Sequence, residues 1–125
     1  MNALGAPAPG VHRVAGSAGE SVQVLRDAGW HAVVVTPGAS TAEFYADLGR
    51  ALALPAWFGA NLDALWECLG DLTGPTALVL TDWSAYARAE PVRWRRFLEL
   101  FADRAGVEPP FAVLLSGSAG AGPQN

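Results

Sequence analysis

The chain has 125 residues, 51% of them hydrophobic and only 16% charged, and its twelve acidic and eight basic residues give a net charge of -4. That length suits one domain able to bury roughly two thirds of its unfolded surface without a disulfide, and the acidic balance argues against a basic face that would neutralise nucleic-acid phosphates. Cys68 is the only cysteine, which excludes an intramolecular disulfide or a cysteine metal cluster, and the lack of a basic-then-apolar leader or a long apolar run predicts a cytoplasmic protein away from the membrane.

Residues 1–10 and 118–125, rich in Pro, Gly, Ala and Ser, read as tails around a single domain spanning 11–117. Val11–Val14 suits a short edge strand, and Ser17 with Glu20 forms a capping box that opens a helix to about Ala28, stopped by Gly29. The β-branched run from Ala32 to Thr36 predicts a strand buried on both faces. A second capping box, Ser40 with Glu43, opens a helix carrying Phe44, Leu48, Ala51 and Leu52 on one face and ending at Leu54-Pro55.

Asn61 is a good N-cap, and Leu62, Leu65, Trp66, Leu69 and Leu72 follow the period of a core-facing helix. Thr76–Thr81 reads as a second buried strand with Asp82-Trp83 at its carboxyl end. Pro91 opens a long helix whose apolar face is Trp94, Phe97, Leu98, Phe101 and Ala105 and which Gly106 closes; Phe111–Leu115 is the last strand. Strands alternating with helices imply a small α/β fold with a parallel sheet of three to four strands and helices packed on it. No surplus apolar stripe remains once the core is assigned, so the free chain is expected to be a monomer.

Asp63, Glu67 and Asp71 recur at i, i+4 and i+8 on another face of the Asn61-capped helix, and no basic residue occurs between Arg50 and Arg88, which predicts an arginine-free acidic surface. A solvated helix face is the plain reading of such a stripe. Against it, like charges at i, i+4 cost about 0.2 to 0.5 kcal/mol per pair, and the helix dipole favours Asp63 but not Asp71. Binding of a cationic partner accounts for the stripe better than helix stability does. Trp57, in the loop ahead of Gly59, reads either as a core aromatic or as a rigid anchor beside the stripe, whereas Phe58 reads as core. Trp66 lies on the apolar side of its helix, mostly core with one edge at the surface.

Catalysis finds little support in the sequence. His12 and His31 lie far from the acidic cluster, and there is no nucleophile elbow, phosphate loop or His-Glu-x-x-His. Asp63 with Glu67, lacking a histidine or a third acid, is a poor ligand set for a metal-using hydrolase. The chain is therefore read as a binding protein without cofactor or metal.

The stretch Leu-Ala-Leu-Pro-Ala-Trp-Phe-Gly-Ala-Asn-Leu-Asp-Ala-Leu-Trp-Glu-Cys-Leu, residues 52–69, closely resembles the signature of barstar-like proteins, intracellular inhibitors of barnase-type ribonucleases. The resemblance continues more loosely through Leu78–Leu80, Asp82-Trp83, Phe101-Ala-Asp103 and Phe111–Ser116, covering roughly 31–117 and leaving 11–30 as an extra strand-helix unit. It implies a small three-layer barstar-like fold and an immunity or antitoxin role. It also implies that Trp57, Leu62, Asp63, Trp66 and Glu67 meet the ribonuclease active site, with acids standing in for RNA phosphates and Asp103 in an outlying acidic position. Glu67 stands where the best-known member has Asp, Asp103 where Glu is usual, Leu72 where an aromatic is, and Asp71 adds a charge at a position that can be Gly. These departures suggest a retained binding mode with a retuned partner. The alternative is an orphan module of the same fold whose basic partner is not a nuclease.

Overall fold

A computed structural model describes residues 8–55 and 58–117. Among them the chain runs β1 (Gly10–Val14), α1 (Ala18–Asp27), β2 (His31–Val35), α2 (Thr41–Leu52), α3 (Leu62–Gly70), β3 (Thr76–Leu80), α4 (Ser84–Ala89), α5 (Pro91–Ala105) and β4 (Phe111–Ser116). The four strands form one sheet in the order β1-β4-β3-β2, every neighbouring pair parallel. Parallel pairing requires crossovers, and the helices supply them on both faces.

Side-chain alternation sorts the core into two clusters. Leu78 and Leu80 of β3 and Phe111, Val113 and Leu115 of β4 face α2, α3, α4 and α5, whose Phe44, Leu65, Tyr86, Phe97 and Phe101 fill the larger cluster. Ala77, Val79, Ala112 and Leu114 face the other way, toward Leu25 of α1. Gly10, Ala112, Ala77 and Ala32 stand in one register row across the sheet. These small residues let α1 pack close to the sheet, so the N-terminal strand-helix unit closes the third layer.

The first capping box is complete: Glu20 N–H donates to Ser17 Oγ, and Ser17 N–H donates to the Glu20 carboxylate. The second is only half formed. Ser40 Oγ accepts from Glu43 N–H, but the Glu43 carboxylate accepts from Ala39 N–H, one residue upstream of the expected partner. The α2 helix ends at Ala53 in the left-handed region (φ 52), ahead of the Leu54-Pro55 pair expected to stop it. Helix α4 was not anticipated; it has six residues and no side-chain cap, and it follows Asp82 at a positive φ of 49.

Strand β2 corrects the expectation of burial on both faces. It is an edge strand, and while Ala32 is buried under α1, Val34 on the same face is 38% exposed because α1 does not reach it. Side chains cover its outward carbonyls and the N–H that follows it. Arg26 Nη2 donates to Ala32 O (3.1 Å), Arg50 Nη2 donates to Val34 O (3.3 Å), and Thr36 N–H donates to Asp47 Oδ2 (2.8 Å). Open parallel edges invite pairing with another strand. The Arg26→Ala, Arg50→Ala double variant should therefore self-associate with rising concentration in light scattering while the wild type stays unchanged; identical profiles would refute this role for the two arginines.

Asp47 also accepts from Arg50 Nε at 2.6 Å, and this hydrogen bond, followed by that from Thr36, holds its carboxyl below the ordinary value of 3.8. A depressed folded-state value stabilises the fold above the unfolded value and loses that contribution as pH falls through the folded one. In denaturant titrations over a pH series, Asp47→Asn should be less stable than wild type above about pH 4, with the gap closing in more acidic solution. A gap that widens on acidification would contradict the assignment.

Candidate functional site

The approach to α3 is shaped by local backbone chemistry. Ala60 adopts φ 52, and Asn61 follows in extended conformation with its Oδ1 accepting from Ala64 N–H (2.8 Å) and its Nδ2 donating to Gly59 O (3.2 Å). This cap satisfies one of the helix's open N–H groups and aims the first turn outward. Trp57 lies outside the described residues. Phe58 packs edge-on against Tyr45 and belongs to the core, as expected.

Leu65, Cys68 and Leu69 form the buried face of α3, while Leu62 and Leu72 are half-buried. Trp66 corrects the expectation of a mostly core side chain: it is 42% exposed. Cys68 takes the inward position instead, a substitution that an apolar count over leucines and tryptophan does not register. Asp63, Glu67 and Asp71 are all exposed, but only the first two lie within the helix; Asp71 is its C-cap. Burial pushes the Cys68 thiol up, and the charges of Asp71 and then Glu67 push it the same way.

Helix α5 lies beside α3 and runs in the same direction: Arg96 lines a cleft with Leu62 and Asp63, Asp103 lines it with Trp66, and Arg104 Nε donates to Leu69 O at the α3 C-terminus (2.9 Å). That cleft, about 310 Å³, brings Asp63, Trp66 and Asp103 together although Asp103 is distant in sequence. The expected arginine-free surface is corrected here. The charge gap between Arg50 and Arg88 is one-dimensional, and folding places Arg93 and Arg96 of α5 along the N-terminal end of α3. The two arginines and Glu99 are functional candidates that reading α3 alone missed; their i, i+3 spacing along one edge of the Trp94, Phe97, Phe101 face was the available signal.

Among the described residues the sole ion pair is Arg50–Asp47, so Asp63, Glu67, Asp71 and Asp103 form no ion pair within the chain, although Arg93 and Arg96 share clefts with Asp63. Exposed carboxylates next to an exposed indole can accept bidentate hydrogen bonds from guanidinium groups and offer a ring face to a cation. Among the described residues, no group of three or more His, Cys, Asp or Glu side chains is arranged to hold a metal ion, and no helix is long and apolar enough to cross a membrane. Compared with models of known protein families, the chain matches the one described as Barstar (barnase inhibitor) over residues 31–116.

Proposed function

The chain belongs to the barstar (barnase inhibitor) family, and from that membership we propose that it inhibits a barnase-type ribonuclease by laying α3 across the enzyme's cationic active site. The observation that carries this reading is the set of internally unpaired carboxylates on and beside α3, flanking exposed Trp66 within the matched span. A ribonuclease must bind phosphates with cationic side chains. Asp63 and Glu67 offer those side chains carboxylates in place of phosphate, and charge-assisted hydrogen bonds between such groups are the strong ones. Complementary fields also speed encounter. Trp57 and Leu62 supply apolar contact around the charges, Asp103 reaches the rim, and Asp71 extends the negative field past the helix end.

Calorimetric titration against barnase-type ribonucleases, beginning with any encoded beside this chain, tests the proposal together with an RNA-cleavage assay. A one-to-one complex that weakens with added salt and abolishes cleavage is the expected result. Absence of binding at low salt across the panel would overturn it.

A further inference from the structure

Helix α5 carries Arg93, Arg95 and Arg96 in its first half and Glu99 and Asp103 in its second, between Glu90 at the N-cap and Arg104 in the last turn. Arg95 and Arg96 stand at i, i+4 and i, i+3 to Glu99, a spacing that supports the helix, whereas Arg93 in the first turn runs against the macrodipole. Arg93 and Arg96 border a cleft of about 370 Å³ between α5 and α3, floored by Tyr45, Leu62 and Phe97. Val92, 59% exposed, forms its apolar lip. Two guanidiniums and one carboxylate, that of Glu90, line the cleft itself, while Asp63 shares the adjoining clefts with the same two arginines. Neither arginine has an ion-pair partner among the described residues. Burial raises the phenol of Tyr45 and the Arg93 charge opposes it; burial also raises Tyr86, opposed first by its hydrogen bond with Thr41, with the charges of Glu90 and Arg93 acting in opposite senses.

We propose that the cognate ribonuclease carries, next to its cationic active site, an acidic side chain on an apolar loop that seats in this cleft against Arg93 and Arg96. The inference rests on the inhibitor reading and adds the partner's chemistry: the interface is mixed in charge, with carboxylates of α3 and Asp103 meeting cations and the α5 arginines meeting an acid. Unpaired charges of both signs along one groove select among ribonucleases, because a uniformly basic enzyme is repelled at the arginine end.

The test uses the full chain and a panel of inactivated barnase-type ribonucleases in calorimetric titrations, comparing wild type with an Arg93→Glu, Arg96→Glu variant. Reversing both charges should weaken binding to the cognate enzyme about ten-fold or more, since like charges then face each other. A uniformly cationic partner gives the opposite sign, binding the more acidic variant more tightly. Unchanged or tighter binding would thus overturn the mixed-charge interface while leaving the inhibitor reading intact, whereas failure of the wild type to bind any ribonuclease overturns both. Thermal melts check folding. Should the Glu variant melt early, Arg93→Gln with Arg96→Gln decides, a loss of about three-fold or more supporting the cleft and none refuting it.

Discussion

Replacing Arg104 with alanine is expected to lower the unfolding free energy by about 3 kcal/mol, because one buried side chain supplies three hydrogen bonds that nothing else replaces. Arg104 is 1% exposed, with Nε on Leu69 O and Nη1 on both Val107 O (2.8 Å) and Pro109 O (3.0 Å). Its guanidinium carbon lies 5.6 Å from the centre of the Phe111 ring. No carboxylate pairs with it among the described residues, Nη2 is buried without a partner, and burial lowers its pKa against the opposing pull of Glu108.

Two effects therefore compete. Removing an unpaired buried charge relieves a desolvation cost, which is why buried ions exchanged for apolar groups of like volume are often neutral. Removing the donors strands carbonyls at about 1 to 3 kcal/mol for each that water cannot reach, and truncation to alanine adds a cavity over Phe111. The second effect wins for alanine. Methionine keeps most of the volume but strands the same carbonyls, so Arg104→Met should spare the cavity cost alone and be about 1 kcal/mol less destabilising than alanine. Helix α3 has no basic residue in its own last turn, so this arginine of α5 is the cation at its C-terminus. Chemical denaturation of both variants is the measurement, and an alanine variant within about 0.5 kcal/mol of wild type would show that these bonds contribute little.

Local chemistry was legible in the sequence wherever it determined the outcome. Ser17 with Glu20, Asn61 ahead of Leu62 and Pro91 at a helix start each act within four residues, and each cap or start is where the residue types put it. The resemblance named the family, and residues 31–116 match it. The readings that failed depend on partners distant in the chain. A β-branched run looks the same in a central and an edge strand, so β2 was placed too deep. Trp66 and Cys68 compete for the inward side of α3, and burial of Trp66 depends on how closely α5 approaches. Arg104 occupies a position that the Trp94, Phe97, Phe101 repeat marks as core; a charged residue there was a legible sign of a buried polar anchor. Arg93 and Arg96 join the site only because α5 folds alongside α3.

Glu67→Ala or Asp63→Ala is expected to weaken ribonuclease binding by at least about 2 kcal/mol, with Asp103→Ala smaller and Asp82→Ala under about 0.5 kcal/mol. Glu67 and Asp63 are exposed one turn apart on α3 beside Trp66, so a partner covering the indole desolvates both carboxylates. Truncating one partner of a desolvated, hydrogen-bonded charge pair leaves the opposing cation buried and unpaired, the most costly outcome at an interface. Barnase–barstar is itself the reference case for such coupling energies, so the size of the effect is taken from the family and only the ranking is argued from this chain. Asp103 lines the cleft from α5 rather than from the face of α3 that the partner is proposed to cover, whereas Asp82 sits past the end of β3 and outside the clefts that α3 shares with α5. Fold stability should stay level or rise slightly for Glu67→Ala, which removes a like-charge i, i+4 repulsion worth about 0.2 to 0.5 kcal/mol, whereas Asp63→Ala also loses a first-turn acid that the helix dipole favours and should stay level or fall slightly. Titration of the four variants against one ribonuclease, with melts alongside, separates the two readouts. Equal losses at Asp82 and Glu67 would mean that the enzyme feels the chain's overall charge and docks on some surface other than α3.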